Sequence, residues 1–234
     1  MSKRRTKPKA SAEPQNHLTL REIKPLTTNQ SIAFSEYEEG QNLFLYGWPG
    51  VGKTMVALYL ALKEVIEERT YEKVIIVRSV LPSKDLGFMP GNLAEKSGYY
   101  EAPYIELVGD LFGRGDAYSI LKQKDIIRFT TTSFLRGTTF KDAIVIVDEC
   151  QNLEKNEWIV SMSRMGNNTK LIMCGDLMQT DLKERDQKHL AYMVKVLRSM
   201  KSVSFIEFDK QDIVRSGFCK EFIISLMENK DSFA

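Results

Sequence analysis

Six short apolar runs set the frame of this chain. They fall at residues 43–46, 73–77, 126–129, 143–147, 170–174 and 203–208. The run at 143–147, Ala-Ile-Val-Ile-Val, is the clearest of them, and Ile126–Phe129 is the weakest. These segments do not alternate apolar with polar positions, so each predicts a strand buried on both faces. Between them, residues 55–66 carry Val56, Leu58, Leu60, Ala61 and Val65 and predict an apolar helix. Helices are also predicted over 154–164 and 187–200. Doubly buried strands alternating with helices predict an α/β fold, mainly a parallel sheet with helices on both faces and right-handed crossovers.

The stretch from Arg78 to Asp125 breaks this rhythm. It holds Gly87, Pro90, Gly91, Gly98, Pro103, Gly113 and Gly115 and no strong periodicity. It reads as an insertion at about 79–125, with short helices packed beside the sheet and a possible substrate-facing surface. The domain itself is expected to run over 19–234, after a disordered basic segment at 1–18. Lys3, Arg4, Arg5, Lys7 and Lys9 precede the first acidic residue, Glu13, and large apolar residues are scarce there. The 234-residue chain otherwise has a net charge of only +2, so no global field draws it to nucleic acid. Its length allows a sizeable core without disulfides or metals. Three cysteines with no CxxC pair, and two histidines, argue against a disulfide framework or a zinc site. No apolar run is long enough to span a bilayer and no secretory signal is visible, so a cytoplasmic location is expected.

Chemistry enters at the end of the first strand. Gly47-Trp48-Pro49-Gly50-Val51-Gly52-Lys53-Thr54 fits G-x-x-x-x-G-K-[ST] at every fixed position, with a strand before it and a helix after it. In such a loop backbone N–H groups and a helix N-terminus cradle phosphates. Lys53 would reach the β- and γ-phosphates, and the Thr54 hydroxyl would serve Mg²⁺. Met55 follows in the first turn of the helix. Asp148-Glu149 ends the strand at 143–147. There Asp148 would hold Mg²⁺ and Glu149 would orient and deprotonate an attacking water; an N-cap role for Asp148 is the plain alternative. Asp176 and Gln179, in Cys174-Gly-Asp-Leu-Met-Gln-Thr-Asp-Leu182, follow the next strand and would face the same crevice, or merely form a capped turn. An Asp-Glu pair and the lack of an Asn-Lys-x-Asp guanine-reading motif favour ATP over GTP.

With these motifs in place, the chain resembles the PhoH family of P-loop ATPases, related to the core of superfamily 1 helicases, over about residues 26–224. Five stretches carry the likeness: Leu26-Thr-Thr-Asn-Gln30, the P-loop, Leu86-Gly-Phe-Met-Pro-Gly-Asn-Leu-Ala-Glu-Lys96, Phe134-Leu-Arg-Gly-Thr-Thr-Phe140 leading into Asp148-Glu-Cys-Gln-Asn152, and Asp212-Ile-Val-Arg215. The resemblance implies a RecA-like fold with one motor domain, ATP and Mg²⁺ as cofactors, and a ring-shaped homo-oligomer, a hexamer in particular. It also implies RNA or single-stranded nucleic acid as partner. It makes Gln30 the reader of the adenine edge and Arg215 an arginine-finger candidate, against a surface salt bridge to Asp212 or Glu221. The chain departs from the family pattern at Ser79, Thr138, Cys150 and Ser216. Three functions follow: an ATPase that translocates on or remodels RNA, a ribonuclease regulated by ATP, and a nucleotide-gated assembly protein with no nucleic-acid substrate. For the second, Asp181, Glu184 and Asp186 are the acids outside the ATP site.

Overall fold

The structure, a computed structural model, describes residues 18–79, 93–176 and 184–229, with the backbone alone at 93–97 and 184–188. All six predicted strands form. They are β1 (Asn42–Gly47), β2 (Lys73–Arg78), β3 (Ile127–Thr131), β4 (Ala143–Asp148), β5 (Thr169–Gly175) and β6 (Val203–Phe208). They make one parallel sheet in the order β3-β2-β4-β5-β1-β6. Sequence strength tracks position in this sheet. Every residue of β4, near the centre, is buried. At the edge, β3 leaves Arg128 exposed, and at the other edge β6 leaves Glu207 exposed. A central strand needs apolar side chains on both faces, whereas an edge strand can turn polar ones to water.

The helices are α1 (Thr28–Glu38), α2 (Lys53–Lys63), α3 (Leu93–Phe112), α4 (Ala117–Gln123), α5 (Lys155–Ser163), α6 (Glu184–Arg198) and α7 (Gly217–Glu228). One face of the sheet is covered by α1 to α4 and α7, whose Ala33, Leu58, Val108, Leu121 and Ile223 meet Leu43, Ile76, Ile146 and Ile172. The other face packs Phe44, Val77, Val145 and Met173 against Trp158 of α5 and Leu190 and Leu197 of α6. The arrangement is the predicted α/β fold of a RecA-like P-loop domain.

The insertion differs from its expected form. It does not contribute short helices only: α3 runs for 20 residues straight through Pro103. Gly98 and Pro103 suggest breaks, but Tyr104, Val108 and Leu111 are fully buried against the sheet, and that packing outweighs local propensity. Helices α1, α4 and α7 were likewise not legible. In α1, for instance, the sequence Thr-Asn-Gln-Ser is polar, and the N-cap hydroxyl of Thr27 accepting from the Gln30 N–H starts the helix.

At the N-terminal end of the sheet a buried charge pair ties three elements together. Lys170, at the start of β5, donates to the Tyr37 carbonyl of α1 at 2.9 Å and lies 3.6 Å from Glu64. Its ammonium also sits 3.5 Å from the Tyr37 ring centroid. Glu64, just past α2, accepts from the Tyr37 hydroxyl and, at 2.9 Å, from Thr70. Burial holds the Lys170 pKa below its ordinary value, partly offset by Glu64. Removing one partner leaves the other charge unpaired in a dry site. Lys170→Ala is therefore expected to cost about 3–5 kcal/mol in urea unfolding. The double replacement Lys170→Met with Glu64→Gln should cost clearly less, and an equal loss would show that packing, not charge pairing, dominates.

Candidate nucleotide site

The P-loop joins β1 to α2, and its shape depends on left-handed glycines. Gly50 has φ +80° and Gly52, the N-cap of α2, has φ +86°. Added side chains would also collide. A Cβ at Gly50 would lie 2.9 Å from Cγ of Arg215, and one at Gly52 would lie 3.1 Å from Nε2 of Gln30. Val51 is fully buried. Met55 packs half-buried against the core. Lys53 folds back over the loop and donates to the carbonyls of Gly47 at 2.6 Å and Trp48 at 2.8 Å. Burial lowers its pKa, opposed by the carboxylates of Asp176, Glu149 and Asp148. The loop thus wraps around its own lysine, with left-handed glycines and with the Gly47 and Trp48 carbonyls on the ammonium, and a loop of this spacing at a helix N-terminus is suited to phosphate.

Asp148 closes β4 beside this loop. Both its oxygens are engaged: Oδ1 accepts from the Thr54 hydroxyl at 3.1 Å and Oδ2 from the Tyr104 hydroxyl at 2.7 Å. Burial, then the neighbouring Glu149, push its pKa up, while the bonds from Tyr104 and Thr54 and the charge of Arg78 pull it down. Asp148 is therefore tied to Thr54 and Tyr104 at the strand end and is not a helix N-cap; the cap of α5 is Glu154. A hydroxyl and a carboxylate converging on one point form a hard oxygen donor set. That set fits Mg²⁺, which prefers few protein ligands supplemented by phosphates and water. Thr54 and Asp148 are the residues that would hold it.

Glu149 follows in the left-handed region, with φ +52°. That conformation costs a non-glycine residue roughly 1 kcal/mol or more and tends to persist where function fixes it. Its carboxylate accepts from Nε2 of Gln151 at 2.6 Å, and Oε1 of Gln151 accepts from the Asp176 backbone N–H at 3.0 Å. Gln151, to which sequence reasoning gave no role, thereby holds the ends of β4 and β5 in one arrangement and aims Glu149. Asp176 is buried, and its charge acts on Lys53. Gln179 lies outside the described residues, as does most of the 86–96 stretch.

Gln30 is also at the site. It is buried, with its oxygen accepting from the Leu26 N–H at 2.8 Å and its nitrogen donating to the Val51 carbonyl at 3.1 Å. It braces the P-loop directly. Asn29, next to it, donates to Asp212 at 2.7 Å, and Asp212 also accepts from the Asp209 N–H at 2.8 Å. The Val214 N–H then donates to the Gly50 carbonyl at 3.1 Å. These links carry the chain after β6 back over the P-loop and lay the Arg215 side chain against Gly50 of the same chain. Arg215 is exposed and, among the described residues, forms no ion pair with Asp212 or Glu221. Asp212 is instead buried and committed to α1. Arg136 is exposed on the turn after β3, away from the loop.

Sequence reasoning also missed Arg78 and Tyr104. Arg78 pairs in register with Asp148 across β2 and β4. Burial is the largest single influence and lowers its pKa, but Tyr104, Asp148 and Glu149 together outweigh it and raise the value. An arginine closing an apolar strand one strand away from the Asp-Glu pair was the available signal. Tyr104 is legible only as an aromatic of the insertion, for the core or for stacking on bases; its bond to Asp148 is not, because a helix turn inside a glycine-rich insertion does not announce which way it points.

A phosphate loop, a buried strand-end carboxylate facing its threonine and a parallel sheet in this order define a P-loop nucleotide-binding domain. The chain belongs to the PhoH family: the family model described as "PhoH-like protein" matches residues 22–228. It is 31% identical to the PhoH-like protein of Bacillus subtilis over 202 residues, covering 86% of this chain and 63% of that one. It is also 31% identical to the Escherichia coli K12 protein PhoH over 185 residues, covering 78% and 52%. The chain thus spans about half to two thirds of the length of the relatives it matches. Among solved structures, the Pif1 helicase of Candida albicans aligns over 88% of this chain and 44% of its own, with 14% identity and a TM-score of 0.40. Among the described residues, no helix is long and apolar enough to cross a membrane.

The raised pKa of Asp148 has a consequence for stability. A carboxyl whose folded pKa lies above its unfolded value holds its proton more tightly in the folded state. Stability is then lost as pH rises above the ordinary value of 3.8 and through the folded value. Asp148→Asn should remove that penalty. At pH 7, without nucleotide or Mg²⁺, the variant is expected to melt at or above the wild-type temperature by calorimetry, and a large drop would contradict this balance.

Proposed function

We propose that this domain binds ATP with Mg²⁺ and hydrolyses it, and that turnover is coupled to RNA or another single-stranded nucleic acid in a homo-oligomeric ring, a hexamer in particular. The observation that carries the ATPase reading is the convergence of Lys53, Thr54, Asp148, Glu149 and Arg215 around one P-loop. Lys53 would exchange its bonds to the loop carbonyls for phosphate oxygens. Bound Mg²⁺, held by Thr54 and Asp148, would neutralise charge developing on the phosphates. Glu149, aimed by Gln151, orients and deprotonates water, worth roughly 10²–10⁴-fold. Gln179, after β5, would sense the γ-phosphate. Gln30 keeps one amide hydrogen and one lone pair beyond its two present bonds, enough to read an adenine edge.

Arg215 lies against the P-loop of its own chain, which supports a role within the subunit. Nucleic-acid coupling rests on family membership and on a ring and a cation that follow the edge strand β3, at the same C-terminal end of the parallel strands as Asp148: Phe134, 55% exposed, and Arg136. Bases stack on exposed aromatic rings, and cations follow the backbone. A ribonuclease would need clustered carboxylates; of the acids offered for it, Asp181 and the side chains of Glu184 and Asp186 lie outside the described residues.

The test is ATP turnover with and without single-stranded RNA, with particle mass measured on the same sample. RNA-stimulated turnover in an oligomer supports the proposal, and turnover indifferent to RNA and DNA would move the assembly function ahead. Lys53→Ala should abolish turnover, and unchanged hydrolysis would sink the ATPase reading. Arg215→Ala should lower kcat by about 10³-fold or more. Mixing it with Lys53→Ala subunits should restore nothing if Arg215 serves its own subunit, whereas recovery of activity would place it across a boundary.

A further inference from the structure

Tyr104 stands in the middle of α3, the long helix of the insertion, and its ring is fully buried 5.7 Å from that of Phe129 on the edge strand β3. Its hydroxyl nevertheless reaches the end of β4 and donates to Asp148. Arg78 pairs in register with Asp148 on the neighbouring strand, and its guanidinium lies 5.6 Å over the ring of Tyr100, one turn earlier on α3. Residues four apart share a helix face. One face of α3 therefore presents two tyrosines to the strand ends that carry Arg78 and Asp148.

The two oxygens of Asp148 thus answer to different parts of the molecule. Thr54 holds Oδ1 from the nucleotide-binding helix α2, and Tyr104 holds Oδ2 from the insertion. The terminal torsion of an aspartate is broad and poorly fixed by its own rotamer preference. In a fully buried site it is set by whichever donors surround it, and losing one donor leaves an oxygen unsatisfied and the carboxylate free to turn.

We propose that Tyr104 is a positioning residue for the divalent-cation site. Its hydroxyl, with the Arg78 charge on the adjacent strand, fixes the Asp148 carboxylate so that Oδ1 faces Thr54, and it makes the α3 insertion a part of the nucleotide site. The inference rests on the reading of Asp148 as the Mg²⁺-binding carboxylate. Partners that orient metal ligands typically change metal affinity by about 10–100-fold when removed. A tyrosine serving only to fill the core would lose little on replacement by phenylalanine, which keeps the ring.

The experiment is fluorescent-ADP binding to the full chain, titrated with Mg²⁺, for wild type, Tyr104→Phe, Arg78→Met and Asp148→Asn. Tyr104→Phe is expected to need about tenfold more Mg²⁺ for half its effect, with nucleotide affinity in EDTA unchanged. Arg78→Met should shift the same way, and it carries the test if Tyr104→Phe proves unfolded. An unchanged Mg²⁺ requirement in the folded variants, with Asp148→Asn losing the Mg²⁺ response, would overturn the proposal and leave the Asp148 reading intact. A Mg²⁺ response retained by Asp148→Asn would overturn both. A loss of ADP affinity in EDTA equal to that in Mg²⁺ would mark Tyr104 as a packing residue and also overturn the proposal.

Discussion

The burial of one carboxylate at the end of a central strand is the constraint on which the site depends. Asp148 is 5% exposed. A charge removed from water must be met by donors or it will be neutral. The surrounding elements supply those donors: the Thr54 hydroxyl from α2 and the Tyr104 hydroxyl from α3, with the Arg78 charge from β2 alongside. The P-loop, the insertion and the neighbouring strand therefore meet at a single residue. The cation-binding role proposed for Asp148 asks for a carboxylate dry enough to interact strongly yet supplied with donors that favour its charge, and these partners act toward the second condition.

The P-loop is supported from the opposite side in a similar way. Its Val51 carbonyl is held by Gln30 of α1 and its Gly50 carbonyl by the Val214 N–H that follows β6. Asn29 and Asp212 couple those two supports to each other. Glycines give the loop the backbone freedom it needs, but freedom alone would leave it mobile. The brace converts that freedom into a fixed cradle, and it places Arg215 over the loop as a consequence of the same bonds.

The phosphate-binding half of the site was legible in the residues, because P-loop spacing is local. Backbone N–H groups, a lysine and a threonine within eight consecutive positions require no distant partner to be recognised. The strand-end acids were legible for a related reason: they close a run of five apolar residues, and the end of a buried strand is where an α/β sheet gathers its chemistry. Gln151, Arg78 and Tyr104 were not, although each makes or sustains a contact within that site. Their roles depend on which strand lies beside which and on the direction of one helix face. The insertion was misjudged for the same reason, since Gly98 and Pro103 weaken α3 locally while the burial of Tyr104, Val108 and Leu111 holds it helical.

The sequence alone thus determined the α/β class, the six strands, the phosphate loop and the Asp-Glu pair, because each is written in short-range periodicity or fixed spacing. Only the tertiary structure decided the strand order, the 20-residue helix of the insertion, the bracing of the loop by Gln30, and the seating of Arg215 on its own P-loop. Those features join residues 21 to 183 positions apart. Over such distances a one-dimensional pattern carries no register, and packing of both faces of the sheet selects the partners.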